Sequence, residues 1–186
     1  MNETLKLIKE RFSCRSFTSE APTNEEIDAV ARAGVQSPSG MNRQGWQIIV
    51  VKDKELISEM EFEGTKNLRD YDQMLFKRIE DRGGKLFYNT PCIIIVAIKP
   101  SNPPSSELVD LGIVAQNIVL AAESLGLNTL HCGFTAFVFS GTKKDYFERR
   151  LKFFKGYECG IGVLIGHAEQ KRDAHEPDLS KITIIK

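Results

Sequence analysis

The sequence contains little cysteine and histidine, and neither is arranged as a metal site or a disulfide framework. Of its 186 residues, four are cysteine and three are histidine. Cys14, Cys92, Cys132 and Cys159 are widely separated, and no two form the Cys-x-x-Cys pair that is typical of zinc sites and redox pairs. We therefore expect no bound metal and no disulfide scaffold.

Long hydrophobic runs and an excess of one charge are also absent. The longest apolar run, Cys92 to Ile98, is far too short to span a bilayer, and the first residues lack the apolar core of a secretion signal. Lys and Arg number 25, as do Asp and Glu, which argues against a general nucleic-acid binder because such proteins carry a basic excess. The sequence thus predicts a soluble cytoplasmic protein that binds neither nucleic acid nor membrane, and its length favours one domain over residues 1–186.

Helical and strand patterns alternate irregularly along the chain, which predicts mixed α and β structure with helices covering a sheet. Thr23 and Glu26 form a capping-box pattern, and Gly126 is a helix stop. Residues 62–90 are polar and ambiguous, and residues 99–106 hold three prolines and predict a loop. The predicted helices cover residues 2–11, 24–35, 53–61 and 110–125, and the predicted strands cover residues 47–51, 92–98, 160–166 and 182–185.

Three glycines of the predicted strand 160–166 superficially resemble a dinucleotide-binding loop. Such a loop follows a strand and opens a helix, whereas Gly160, Gly162 and Gly166 lie within the strand and the residues after it are polar. We therefore interpret them as small residues that allow close backbone packing.

A first candidate binding segment is Arg11-Phe12-Ser13-Cys14-Arg15. If this segment is extended, Arg11, Ser13 and Arg15 point to one side and present two guanidinium groups and a hydroxyl. Such a face suits a phosphate together with a second electron-rich group, because guanidinium binds oxyanions with two hydrogen bonds. A solvated basic turn explains the same residues equally simply. Lys171 and Arg172, a solvated charge run by themselves, would complete an anion site with this segment.

A second candidate is the loop over residues 37–46, which reads SPSGMNRQGW. It is rich in turn residues and hydrogen-bonding side chains and directly precedes a hydrophobic strand. Loops carried by a rigid scaffold are where ligand contacts concentrate. The alternative is a polar connection between helix and strand, and for Trp46 a role as core anchor is the better interpretation.

A third candidate lies just beyond the predicted helix 110–125, around Cys132 and Gly133. Gly133 permits a flat ligand to approach the backbone closely. A nucleophilic pair of His131 and Cys132 is disfavoured, because adjacent residues of a strand face opposite sides. A buried structural cysteine is the default interpretation of Cys132.

Taken in order, these segments resemble the nitroreductase family of FMN-dependent oxidoreductases. The resemblance covers nearly the whole chain, and it implies an α+β fold: a three-layer sandwich around a mainly antiparallel sheet, in an intertwined homodimer with two FMN sites at its interface. The residues that carry it are Arg11, Ser13, Arg15, Pro38, Ser39, Gly40, Asn42, Gln44, Trp46, Asp110, Gly112, Gln116, Asn117, Gly133, Gly166 and His167.

The resemblance also implies a role for each candidate residue. Arg11, Lys171 and Arg172 would hold the FMN phosphate. Ser13 and Arg15 would approach the ribityl chain and the pyrimidine edge of the flavin, where Arg15 would support the reduced form electrostatically. The loop residues Pro38, Ser39, Gly40 and Asn42 would reach the flavin of the partner subunit, with Gln44 nearby. Cys132 and Gly133 would lie along the ring near its N5 side.

The activity implied by the resemblance is transfer of hydride from NAD(P)H through flavin N5 to a nitroaromatic, quinone-like or related small acceptor. This chemistry requires no protein nucleophile or general base. Three alternatives remain open from the sequence: an FMN-dependent reductive dehalogenase, a flavin-binding or carrier module without turnover, and a ligand-binding domain that has lost FMN.

Overall fold

The computed structural model describes residues 1–101 and 106–186, so part of the predicted loop 99–106 lies outside the described residues. At its centre is an antiparallel sheet of four strands in the order β1-β2-β4-β3. The apolar runs seen in the sequence form its two central strands. The strands are β1 (Trp46–Val51), β2 (Cys92–Ile98), β3 (Asn128–Cys132) and β4 (Glu158–Gly166).

Helices cover both faces of the sheet, as the apolar run of β2 predicts for a strand buried on two sides. One face carries α2 (Asn24–Val35) and α5 (Glu107–Ser124), and the other carries α3 (Lys54–Tyr71), α4 (Gln73–Glu80) and α6 (Lys144–Arg150). Successive β2 residues alternate between the two cores: Ile93 and Ile95 pack with α3, whereas Ile94 and Val96 pack with α5. The predicted three-layer α+β arrangement is confirmed.

The N-terminal segment extends the sheet beyond β3. After α1 (Glu3–Glu10), Ser13 pairs in parallel with Thr129 of β3, and the Cys14 amide donates to the Thr129 carbonyl oxygen at 2.9 Å. Phe12 and Cys14 are buried, whereas Arg15 is exposed. This alternation confirms that residues 11–15 are extended.

Several local predictions are confirmed by the backbone and its packing. Thr23 and Glu26 form the reciprocal capping box at the start of α2, and Gly126 takes a positive φ of 79° just after α5. A Cβ atom added to Gly162 would collide with the Thr135 side chain. One added to Gly160 would lie 2.9 Å from the Val96 carbonyl oxygen. Glycines in β4 therefore permit close packing, as the sequence indicates.

The structure corrects the sequence interpretation at two places. Residues 62–90, whose sequence is ambiguous, are largely helical: α3 continues beyond the predicted end at Glu61 to Tyr71, and Asp72 then caps α4. The last predicted strand, over residues 182–185, is wrong. These residues follow a 3₁₀ turn over residues 179–181, and they pair with no strand among the described residues.

Among residues 1–101 and 106–186, no helix combines the length and apolar content needed to cross a membrane.

Candidate functional site

Two cavities lie along the extended N-terminal segment. The Arg11 cavity, of about 280 Å³, is lined by Leu7, Glu10, Arg11, Phe12, Glu123, Asn128, Ala168 and Lys171. The Arg15 cavity, of about 250 Å³, is lined by Arg15, Tyr88, Leu130, His131, Cys132, Gly133, Phe134 and Phe137. Because residues 11–15 run along β3, Arg11 and Arg15 line two separate cavities rather than one.

The Arg11 cavity brings Arg11 and Lys171 together, as the sequence predicts for an anion site. Arg172 does not line this cavity; its charge instead acts on the Cys14 thiol, whose pKa it lowers slightly against the dominant effect of burial. The predicted basic pair is therefore split, and only Lys171 lies with Arg11.

The Arg11 cavity also contains a carboxyl group that the sequence did not point to. Glu123, at the end of α5, accepts a hydrogen bond of 2.9 Å from the Thr129 hydroxyl. Burial raises the pKa of Glu123, while the Thr129 hydroxyl and the positive charge of Arg11 oppose that rise. Glu123 therefore lies within the electrostatic reach of Arg11 and tempers the positive charge of this cavity.

The Arg15 cavity has an open backbone position and an aromatic wall. A Cβ atom added to Gly133 would meet no atom within 4 Å, so the main chain at this residue borders free space. Phe134 and Phe137 line the same cavity, with ring centroids 6.3 Å apart. A flat ligand can thus approach the backbone at Gly133, with a positive charge from Arg15 in the same cavity.

Cys132 lines the Arg15 cavity but is not a nucleophile. Its side chain is 2% exposed, and its thiol donates to the Leu86 carbonyl oxygen at 3.6 Å. Burial raises the pKa of Cys132 to about 11, so the thiol is protonated at neutral pH. Burial also lowers the pKa of His131, which interacts with the Ala115 backbone on α5. The two side chains therefore lie on opposite faces of β3, as predicted.

The loop over residues 37–45 is anchored to α5 by two side chains. The Gly40 amide donates to Asp110 Oδ1 at 3.1 Å, and Asn117 Nδ2 donates to the Ser37 hydroxyl at 2.9 Å. Asp110 is itself buried. A Cβ atom added to Gly40 would collide with the Ser106 side chain, which explains why a glycine stands there. The helix therefore holds this loop in one position.

The backbone of the same loop is unusual. Met41, Asn42 and Gln44 have positive φ angles of 56°, 53° and 48°, a region that non-glycine residues rarely adopt. The Gln44 amide donates to the Ser39 hydroxyl at 2.9 Å, and Gln44 Nε2 donates to Asn42 Oδ1 at 3.0 Å. Strained backbone of this kind persists where the surrounding structure enforces it, and it concentrates at functional sites.

Within one chain, this loop lies far from the N-terminal segment. It leads into β1 at one edge of the sheet, whereas residues 11–15 run beyond β3 at the other edge. At about 4.8 Å between neighbouring strands, the two segments are separated by about 19 Å across the sheet. Pro38, Ser39, Gly40, Asn42 and Gln44 are therefore not brought to Arg11, Ser13 and Arg15 within a protomer.

Sequence reasoning gave no site role to four residues that shape these sites, although two of them, Asp110 and Asn117, are among the residues that carry the family resemblance. Asp110 and Asn117 lie about two turns apart on one side of α5, and that spacing after a polar loop was a usable signal. No signal in the sequence marked Glu123 or Tyr88, because the position of Glu123 depends on β3 and that of Tyr88 on a turn within residues 62–90.

Comparisons with known proteins agree on one family. The nitroreductase family model matches residues 8–166. A crystal structure of a nitroreductase with bound FMN from Desulfitobacterium hafniense DCB-2 is 50% identical, covers 100% of both chains and superposes with a TM-score of 0.96.

Curated relatives include an NAD(P)H-dependent FMN reductase of Bacillus subtilis, 29% identical over 96% of this chain and 71% of its own length. An NADPH-flavin oxidoreductase of Vibrio harveyi is 31% identical over 72% of this chain and 54% of its own length. The alignments thus span between 54% and 71% of the lengths of these relatives.

Proposed function

The chain belongs to the nitroreductase family, and from that premise we propose that it is an FMN-dependent oxidoreductase. In this proposal it passes hydride from NAD(P)H through flavin N5 to a nitroaromatic, quinone-like or related small acceptor. The observation that carries the proposal is the pair of neighbouring cavities along residues 11–15. The Arg11 cavity provides two cationic side chains, and the Arg15 cavity provides an open backbone position at Gly133 with an aromatic wall.

The residues present fit the parts of FMN. Arg11 and Lys171 would hold the phosphate, with Ser13 between the two cavities. The ring would occupy the Arg15 cavity, where the absence of a side chain at Gly133 leaves room for a flat group against the main chain. Arg172 is the weakest of the proposed phosphate contacts, because it does not line the Arg11 cavity.

FMN, when bound, supplies a ring that takes a hydride at N5 and passes it on. The chain supplies binding and electrostatics. Arg15 would bring a positive charge beside the ring and would thereby favour its more negative reduced form. Phe134 and Phe137, which line the same cavity, would shield one side of the ring from water. Cys132 takes no part in proton or hydride transfer, because its thiol is buried and protonated.

We propose a homodimer in which the loop over residues 37–45 completes the flavin site of the partner. The loop is rigidly held, presents polar side chains and lies too far from Arg15 to serve the same protomer. Apolar side chains are exposed on α1, α5 and the C-terminal segment, which supports burial against a second copy. They include Leu5, Ile8, Leu108, Val109, Ile182, Ile184 and Ile185. Use of NAD(P)H is consistent with a cytoplasmic enzyme.

The test begins with the absorbance spectrum of the purified protein after incubation with FMN, followed by NADH and NADPH oxidation with a nitroaromatic acceptor. Arg11→Ala removes at least one charge-assisted hydrogen bond to phosphate, worth about 1.5–3 kcal/mol, so FMN affinity should fall tenfold or more. Lys9→Ala removes an exposed cation of α1 as a control.

Each alternative function has its own result in this test. A folded protein that binds no FMN would be a ligand-binding domain of another kind. One that binds FMN without oxidising NAD(P)H in the presence of any acceptor would be a carrier module. Turnover confined to halogenated aromatic substrates would indicate a reductive dehalogenase. Unchanged FMN affinity in folded Arg11→Ala would remove Arg11 from the phosphate site.

A further inference from the structure

The turn that connects α4 to β2 has a constrained backbone. Tyr88 and Asn89 both take positive φ angles, of 51° and 59°. The left-handed region is tolerated by asparagine but is uncommon for a bulky residue such as tyrosine. The Thr90 amide donates to the Phe87 carbonyl oxygen at 2.9 Å and closes the turn. Because this conformation is costly, the surrounding structure must hold it in place.

A carboxylate of α3 supplies that constraint. Glu61 Oε1 accepts the amide of Leu86 at 2.6 Å and the amide of Phe87 at 3.1 Å. Bonds from backbone amides to a charged acceptor are stronger than those between neutral groups. The Leu86 and Phe87 side chains are fully buried. Glu61 therefore fixes the backbone immediately before Tyr88.

The far side of the turn is also fixed. The Thr90 hydroxyl is buried and lies 2.9 Å from the Cys92 carbonyl oxygen and 3.1 Å from the Ile165 carbonyl oxygen. Thr90 thereby joins the turn to the start of β2 and the end of β4. Tyr88 is held between two anchored segments and has little freedom to leave its position.

The position of Tyr88 indicates that it contacts a ligand. Tyr88 is half-buried and lines the Arg15 cavity together with Gly133. Across residues 1–101 and 106–186, its hydroxyl has no hydrogen-bond partner. A phenol at the wall of a cavity is both an apolar surface and an unused donor.

We propose that Tyr88 is a flavin-contacting residue that the proposed site residues do not include, and that Glu61 is its positioning residue. The inference rests on the proposed function, because it takes the Arg15 cavity as the place of the isoalloxazine ring. Tyr88 packs against that ring and donates its O–H to a polar atom of the ring. Glu61 acts through the turn and does not touch the flavin.

The experiment measures FMN dissociation constants and the fluorescence of bound FMN in four single variants and one double variant. Tyr88→Phe should weaken binding about two- to tenfold, as expected for one lost hydrogen bond. It should also raise the fluorescence of bound FMN, because a phenol in contact with flavin quenches it by electron transfer. Tyr71→Phe is the matched control, since Tyr71 contacts the Phe137 ring but does not line the cavity.

The role of Glu61 is tested by a double-mutant cycle and by rescue. Glu61→Ala should weaken FMN binding and raise the fluorescence of bound FMN. Glu61→Gln should restore both, because its amide oxygen still accepts the two backbone amides. The effects of Glu61→Ala and Tyr88→Phe should be non-additive if Glu61 acts through Tyr88.

Thermal melting of each variant separates these effects from unfolding. Wild-type affinity and fluorescence in folded, FMN-loaded Tyr88→Phe would overturn the inference while leaving the proposed function intact. Additive effects of the two substitutions would overturn the positioning role of Glu61. A folded wild-type protein that binds no FMN would overturn the proposed function, and this inference with it.

Discussion

Replacement of Gly133 by alanine separates the stability of the fold from the binding of a flat ligand. An added Cβ atom meets no protein atom within 4 Å, and the φ angle of Gly133 is not positive. The folded chain therefore accepts the methyl group without strain. A Gly→Ala change at a compatible position stabilises by about 0.4–1 kcal/mol, because the unfolded chain loses freedom. For a chain of this length, that corresponds to a rise in Tm of about 1–4 °C.

The same methyl group occupies the space that the proposed flavin ring needs. Forcing one extra carbon into a packed contact costs about 1–3 kcal/mol, which corresponds to a loss of FMN affinity of about 5- to 150-fold. The variant should thus melt at or above the wild-type temperature without FMN and gain less stability when FMN is added. Differential scanning fluorimetry and FMN titration measure the two effects on one preparation.

Gly112→Ala provides a control, since Gly112 is exposed on α5 and a Cβ atom there also meets no atom within 4 Å, but the residue lies neither in the Arg15 cavity nor in the loop over residues 37–45. It should leave FMN affinity unchanged if the loss depends on the cavity. Wild-type FMN affinity in Gly133→Ala would refute the placement of the ring against this backbone. A lowered Tm without FMN would refute the reading of Gly133 as bordering free space.

Three further outcomes are expected. Cys132→Ser should keep FMN and retain NAD(P)H oxidation within about tenfold, a barrier change of about 1.4 kcal/mol, whereas Arg15→Ala should slow flavin reduction more in stopped-flow measurements; the reverse order would contradict the assigned roles. Because burial raises the pKa of Glu123 above its ordinary value of 4.5, the folded state holds that proton more tightly. The contribution of Glu123 to stability therefore declines as pH rises from 4.5 through the raised pKa. As pH rises over that interval, urea unfolding should show the Glu123→Gln variant becoming progressively more stable relative to wild type. A difference in unfolding free energy that stays constant with pH would contradict the raised pKa. Dilution below the dissociation constant of the proposed dimer should release FMN, since the shared site would link association to flavin binding; a monomer by light scattering that keeps FMN would argue against the shared site.

Elements whose sequence pattern matched their packing could be predicted. The apolar run of β2 is buried on both faces, and the periodic apolar residues of α5 pack on the sheet, so a continuous run identified the strand and helical spacing identified the helix. The capping box at Thr23 is a local interaction and needs no tertiary context. The predicted extended conformation of residues 11–15 is also present in the structure, because the segment pairs with the free edge of β3.

Elements that depend on distant partners could not be predicted. The helix α3 buries Glu63 to 1% exposure and pairs it with Lys66 and Lys143, so a polar sequence conceals an inward face. Residues 182–185 have the composition of a strand but find no sheet edge among the described residues. Composition alone does not show whether an edge is available.

The sequence predicted that Arg11 and Lys171 belong to one anion site, but it did not predict Glu123 in that cavity or Tyr88 beside Arg15. Arg11 and Lys171 are far apart in sequence, and only the course of the chain after β4 brings them to one cavity. Tyr88 escaped notice because a tyrosine with positive φ contradicts local propensity. Such a residue is recognised only when the bonds from Glu61 that enforce its conformation are seen.

The placement of the two halves of the site at opposite sheet edges has a consequence for mixtures of defective chains. In the proposed dimer, a chain altered at Arg11 and a chain altered in the loop over residues 37–45 would each form inactive homodimers. A mixed dimer would combine both defects in one site and leave the other site intact. Random pairing would then restore about one flavin site in four. Two inactive alleles would therefore complement each other when expressed together, whereas two alleles altered in the same half would not.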